Sequence, residues 1–406
     1  MDAAAYLQTP EAIRDRCAQL FDLACRGELE HFACDLDRLP AAADYVLGVI
    51  QTHYPDLAVP FHSRWRHFEV VGQSRLETLE PQLSQLSPLE QARLKFDLAV
   101  TSVLLDAGAG ADWRYREPGT GLEFGRSEGL AIASFHGFSQ GLFSSQPESP
   151  LQADAAGLEG LSPEALADAF QVGPDNPLVG VAGRVNLLQK LGIVITQYPD
   201  LFGVEQPRPG GLVDYLVNQA SDGSLPAPVV LRAILQGLGS IWPGRLSLDG
   251  VPLGDVWPHP ALPDTGPGSQ LVPFHKLSQW LTYSLLEPLM DLGLTITDLD
   301  ALTGLAEYRN GGLFIDLGVI VPRHGAIVSQ PHPPDSTVVV EWRALTVMLL
   351  DRTADQIRKT LGLSPKALPL AKVLQGGTWT AGRHIAQEKR PGGPPPIQII
   401  SDGTVF

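Results

Sequence analysis

Residues 336–351 (STVVVEWRALTVMLLD) constrain the fold more tightly than any other stretch of the chain. Read as a helix capped by Asp335 or Ser336, the segment is apolar all round and has to run through the middle of whatever the chain builds. Its charged exceptions are Glu341 and Arg343. Glu341 shares a face with Ala344, Leu345 and Met348, and a carboxylate buried there must be paired or protonated. Two readings stand: a structural ion pair, for instance with an arginine from another helix, or a working part of an active site.

Apolar residues recur at three- and four-residue intervals over 10–26, 41–52, 87–106, 162–170, 180–191, 211–218, 228–237, 273–290 and 298–309, and this spacing predicts helices. Extended segments are few: 61–70, 112–124, 245–251 and 396–400. Pro, Gly and Ser cluster at 144–160, 257–269 and 390–396, which read as surface loops. No internal repeat is present. The pattern predicts a mainly α fold, one helical domain with a few short strands.

With 406 residues, 44% of them hydrophobic, the chain can bury one large core or two modest ones. A net charge of -16 argues against nucleic acid, whose phosphates need a basic face. Any phosphate bound here has to meet a local basic pocket. Cys17, Cys25 and Cys34 fit neither a redox pair nor a zinc knuckle and read as free thiols in a reducing compartment. Residues 1–30 lack the apolar run of a signal peptide, and no stretch is long and apolar enough to span a membrane. The expectation is a cytoplasmic protein without nucleic-acid or membrane partners.

Several motifs fail on context. Gly137-Phe138-Ser139-Gln140-Gly141 matches the serine-hydrolase pattern, but the following residues cannot make the helix that a nucleophile elbow needs. The Gly108/Gly110 loop is too short for a dinucleotide fingerprint. His53, His62 and His67 offer a divalent-metal alternative at unspecific spacing.

Three further segments carry chemistry. In 273–290, Phe274, Leu277, Leu281 and Leu285 form a core stripe, while Lys276, Gln279, Trp280 and Tyr283 project from the other side. They suit either a pocket wall, with a lysine for an anion and aromatics for stacking, or an ordinary helix packed under a loop. In 302–312, Asn310-Gly311-Gly312 reads as a helix stop, with Asp298 or Asp300 as N-cap. Glu307 then falls in the last turn, where the helix dipole raises its pKa toward the range of a proton-transfer group. The alternative is a surface glutamate paired to a neighbour. In 61–68, two arginines and two histidines fall within six residues. They suit an anion-binding fork or a solvated edge strand.

The segments HSRWRHF, SVLLDAGAGADWRY, NPLVGVAGR, PFHKLSQWLTYSLLEP, LTGLAEYRNGGLFIDLGV, VVVEWRALTVMLLD, LAKVLQGGTWTAGR and SDGTVF together resemble a family from fungal and bacterial uracil-degradation gene clusters, the fourth component of that route. The resemblance runs from about residue 10 to 406. It implies a place in uracil catabolism, where a ribosylated base is ring-opened to a urea-bearing ribose derivative.

A more distant resemblance concerns the queuosine-nucleotide N-glycosylases. It rests on Asp112-Trp113 with the following Gly129–Gly141 stretch, Phe274-His275-Lys276 with Gln279, Ala306-Glu307-Tyr308-Arg309, and Glu341-x-Arg343-Ala344. It implies a fold similar to helix-hairpin-helix-type glycosylases. On that basis residues 1–85 form an N-terminal helical part with the HSRWRHF segment, and 86–406 a glycosylase-like core. Two departures stand out: an aspartate of that family falls at Ser284 here, and another has become Glu307.

The resemblance implies hydrolysis of an N-riboside. Glu307 is then the general base, with Asp112 or His275 donating the proton. Lys276 grips a 5-phosphate, with Arg343 as second candidate; Trp113 and Tyr308 flank the ligand, and Gln279, Arg309 and Glu341 support the site. The expected partner is a small ribosylated molecule and no cofactor is required. Two alternatives remain: a metal-dependent amide or ureide hydrolase using the histidine set, and a non-catalytic protein that binds a pathway intermediate.

Overall fold

Apolar spacing becomes helix over most of the chain. In the computed structural model, which describes residues 2–242 and 246–400, the longer helices are α1 (Pro10–Cys25), α2 (Leu39–His53), α3 (Pro88–Leu104), α4 (Arg126–Ser139), α5 (Val181–Gln197), α6 (Ala227–Leu238), α7 (Lys276–Asp291), α8 (Tyr308–Asp316), α9 (Thr337–Leu361) and α10 (Trp379–Lys389). Strands are short, and every sheet among the described residues has two strands. The extended segment expected at 112–124 is a hairpin, Tyr115–Arg116 paired with Glu123–Phe124. Another pair, β1 (Val256–Pro258) and β2 (Leu271–Pro273), runs antiparallel and leads into α7. Among the described residues no helix is long and apolar enough to cross a membrane, and the three cysteines are free.

The chain divides into two compact units, one of Met1–His62, Gly244–Gln279 and Asp298–Phe406, the other of Ser63–Pro243 and Trp280–Thr297. In the first, α9 is the central rod that its sequence demands. Ser336 caps it by accepting the Val339 N–H, and Gly362, at φ +66°, ends it ten residues beyond the expected stop at 351. Helices α1, α2 and α8 pack around it. From α1, Arg14 reaches Asp351 of α9 (2.8 Å) and the carbonyls of Ala301 (2.6 Å), Leu302 (2.7 Å) and Asp300 (3.0 Å). One side chain thus fixes the loop ahead of α8. In the second unit α3 and α4 pack together, and α5 packs against α6. The buried Asp97 of α3 accepts from the N–H groups of Ala153 (3.2 Å) and Gly210 (2.6 Å) and from Arg208 (2.8 Å), so it ties loops to the helix.

Three expectations require correction. No α-helix spans 298–309: a single 3-10 turn at Leu299–Ala301 gives way to extended chain, and α8 begins at Tyr308. Asn310-Gly311-Gly312 therefore open a helix instead of ending one. Those glycines serve close packing, because a Cβ at Gly311 would strike the Trp342 indole of α9 and one at Gly312 would strike Pro396. Segment 61–70 is not a strand but contains the helical turn Trp65–Phe68. Its alternating polarity reflects partners within the second unit: Arg64 bonds Asp106 (2.8 Å) and Arg66 bonds Glu287 (2.8 Å). Finally, α7 is enclosed on more than one stripe, with Tyr283 as inaccessible as Leu285. Ser139 closes α4 with its hydroxyl on the Phe135 carbonyl (2.8 Å), so the GxSxG stretch forms no elbow.

Candidate functional site

The first unit gathers its charged residues where β1, α7, α8 and α9 begin or cross. Asp255 precedes β1, and its main-chain oxygen accepts the Phe274 N–H (2.9 Å) at the end of β2. His275 then adopts φ +47°, which turns the chain so that Lys276 starts α7 with its N–H on the Asp255 carboxylate (2.9 Å). Arg343 crosses from α9 and forks onto both oxygens of Asp255 (2.7 and 2.7 Å), with its guanidinium 4.1 Å from the centre of the Phe274 ring. Trp257 adds a further donor at 2.7 Å. Burial alone would raise the Asp255 pKa. The Arg343 charge and these donors overcome it and hold the carboxyl far below the usual carboxylate range.

Arg343 also reaches forward. Its Nε donates to the Ala306 carbonyl (3.2 Å), immediately before Glu307. Glu307 is the N-cap of α8 and accepts the N–H groups of Arg309 (2.7 Å) and Asn310 (2.6 Å), one on each oxygen. It sits at the positive end of the helix, opposite to the sequence expectation. Its pKa is nevertheless raised. The cause is burial, which outweighs the two N–H donors and the charges of Lys276 and Arg309. Lys276 thus stands within electrostatic reach of Glu307, and Glu307, Tyr308 and Lys276 all retain some solvent exposure.

The other expected residues take distinct places. Gln279, one turn beyond Lys276, is completely buried, and neither amide atom has a hydrogen-bond partner among the described residues. Arg309 lies over the Tyr308 ring at 5.1 Å and donates to the Gly393 carbonyl (3.0 Å). His275 is buried with Nε2 bonded to the Leu7 carbonyl (2.8 Å); burial lowers its pKa, so its one N–H is committed there. Among the described residues Glu341 finds no arginine. It accepts the His31 N–H (3.1 Å) and lies 3.4 Å from His259 Nε2. The Ala261 N–H donates to His259 Nδ1 (3.2 Å), which leaves Nε2 as the ring nitrogen turned toward Glu341.

Asp112 and Trp113 belong to the second unit. Trp113 is sealed in its core, with its indole N–H on the Phe170 carbonyl (3.0 Å) and its ring stacked on Phe170; Asp112 is exposed. The three histidines of the metal alternative have separate contacts. His53 lies tilted against His384, with ring centres 5.7 Å apart. His62, with its pKa drawn down to about 4 by burial, bonds Gln375 (2.9 Å). His67, in the second unit, meets Trp280 edge-on. No cluster of three His, Cys, Asp or Glu placed to hold a metal occurs among the described residues.

A family model described as "Protein of unknown function (DUF1688)" matches residues 6–406. The chain belongs to that family. Two relatives match end to end. "Uracil catabolism protein 4" of Lachancea kluyveri is 39% identical over 99% of this chain and 98% of its own length. "Protein urg3" of Schizosaccharomyces pombe is 39% identical over 100% and 99%. The family resemblance read from the motifs is therefore right.

Sequence reasoning missed Asp255 and the His31/His259 pair. Asp255 stands alone in a Pro- and Gly-rich stretch, and its partner Arg343 is 88 positions away. The only local hint was Arg343 itself, a cation in an apolar helix that needs a carboxylate somewhere.

Proposed function

We propose that this protein is an enzyme of uracil degradation that hydrolyses the N-glycosidic bond of a ring-opened pyrimidine riboside, or its 5-phosphate, releasing a urea-type fragment and ribose or ribose phosphate. The names of its full-length relatives support the pathway. The reaction rests on one observation: Glu307 is a partly exposed carboxylate fixed by two backbone N–H groups, with raised proton affinity and the Lys276 charge nearby.

Departure of the nitrogen leaves positive charge on the anomeric carbon. Ionised Glu307 offsets that charge or takes a proton from the attacking water. The water oxygen bonds to the carbon, the carbon–nitrogen bond breaks, and the proton that the water loses ends on the leaving nitrogen. Lys276 holds the phosphate where one is present. Arg343 is a positioning residue in this scheme, since its fork is occupied by Asp255 and its Nε steadies the Ala306 carbonyl beside Glu307. The resemblance of residues 274–279 and 306–309 to N-glycosylases points the same way.

The test is to incubate the purified protein with synthetic ribosylurea and its 5-phosphate and to assay released urea. Turnover is expected, and Glu307→Gln should lower it roughly a hundredfold or more. Absence of urea release from either compound, or full turnover by Glu307→Gln, overturns the proposal.

A further inference from the structure

The second unit holds a buried arginine with a spare donor. Arg64 is fully enclosed. Its main-chain N–H bonds the Ser284 hydroxyl (2.9 Å), its Nε the Ser102 hydroxyl (2.7 Å) and its Nη1 the Asp106 carboxylate (2.8 Å). Ser102 is fixed in turn by Ser134 at 2.6 Å. The guanidinium lies 5.6 Å from the centre of the Trp280 ring. With three contacts fixing its orientation, Nη2 has no hydrogen-bond partner among the described residues. Leaving a charged donor unmet in a buried setting is costly, so a group that pays for itself only with a ligand in place is a signal of binding.

The charge around it decides the class of ligand. Asp106 neutralises Arg64 directly, Glu128 lies within electrostatic reach of it, and Asp106 also faces Arg184. Two carboxylates already balance two guanidinium groups, so an incoming anion would bring a buried charge with nothing left to offset it. A neutral planar group with a carbonyl oxygen and an adjacent N–H meets one donor and one acceptor instead. The Asp106 side chain is 7% exposed, so the guanidinium and its carboxylate both lie inside the unit.

We infer that the second unit binds a neutral carbamoyl or ureido group, with Arg64 Nη2 donating to its carbonyl oxygen, Asp106 accepting its N–H and Trp280 forming a flat wall. The assignment stands on second-unit residues alone. Urea is the member of this class that the proposed reaction would release, but binding here does not depend on that reaction.

Calorimetric titration of the full chain with N-methylurea tests it, with acetate and inorganic phosphate as anions of similar size. The expected result is binding of N-methylurea and of neither anion. Arg64→Lys keeps the charge but loses the second fork donor, and it should weaken N-methylurea roughly tenfold or more. If that variant does not fold, Ser102→Ala, which frees the guanidinium from its orientation, should weaken it several-fold. A crystal soaked in N-methylurea should show the molecule on Arg64 Nη2. Binding of the anions in its place, unchanged affinity in a folded Arg64→Lys protein, or a soaked molecule located elsewhere overturns the inference. Urea release from ribosylurea can succeed or fail independently of each outcome.

Discussion

Two carboxylates in the first unit both stand at helix starts, yet their surroundings drive them apart. Asp255, at the start of α7, takes an arginine fork, an indole N–H and a backbone N–H, and is locked in the ionised form. Glu307, at the start of α8, takes two backbone N–H groups and keeps a raised proton affinity. A helix N-terminus by itself therefore does not fix the role of an acid. Full pairing makes Asp255 a structural strut, while partial satisfaction leaves Glu307 able to exchange a proton.

The comparison can be broken most sharply at Asp255. Asp255→Ala strands the Arg343 guanidinium and should cost about 3–5 kcal/mol in denaturant unfolding. A loss below about 1 kcal/mol would mean that the pair is no strut. Glu307→Gln should show the reverse profile, with stability within about 1 kcal/mol of the parent because the amide oxygen still caps α8, but with turnover abolished or nearly so.

Acid should separate the two next. A carboxyl whose pKa is depressed on folding stabilises the protein above its unfolded value, and that contribution disappears as pH falls through the folded value; a raised pKa acts in the opposite sense. Turnover should therefore fall first, at a pH above the usual carboxylate range, as Glu307 protonates. The thermal midpoint should lose the Asp255 contribution only as the pH falls through and below that range, from the unfolded value down to the depressed folded one. Parallel profiles of kcat/KM and midpoint against pH check this, and simultaneous collapse would remove the distinction. The smallest effect concerns Gln279. Gln279→Met replaces two unbonded amide atoms with an apolar chain of similar size, so stability should rise by about 1 kcal/mol while KM increases. A fall in the midpoint would show that the amide is satisfied in the free protein.

Much of the helical framework was legible because a 3.6-residue repeat survives wherever a helix has one face to bury. Pro10–Cys25 and Pro88–Leu104 lie within a residue or two of their expected bounds. Legibility failed where tertiary packing sets the meaning of a residue. Gly311 reads locally as a stop but is small to admit Trp342, and Gly382 lets the Arg309 backbone approach α10. Arg64 and Arg66 read as either an anion-binding fork or a solvated edge strand because nothing in sequence announces Ser284, Asp106 or Glu287 as their partners. At the site, Glu307 was visible as a carboxylate in the right motif, but its environment was read with the wrong sign because the helix was placed on its wrong side. Asp255 carried no local pattern at all.

The first unit is assembled from three separated pieces of chain, and Arg14 spends its hydrogen bonds on residues 300–302 and 351. During synthesis at roughly 5–20 residues per second, the N-terminal helices leave the ribosome tens of seconds before α9 can cover them. Through that interval the apolar side of α1, including Ile13, Leu20 and Phe21, has no native cover from α9. The first unit can therefore close only after α9 has been made.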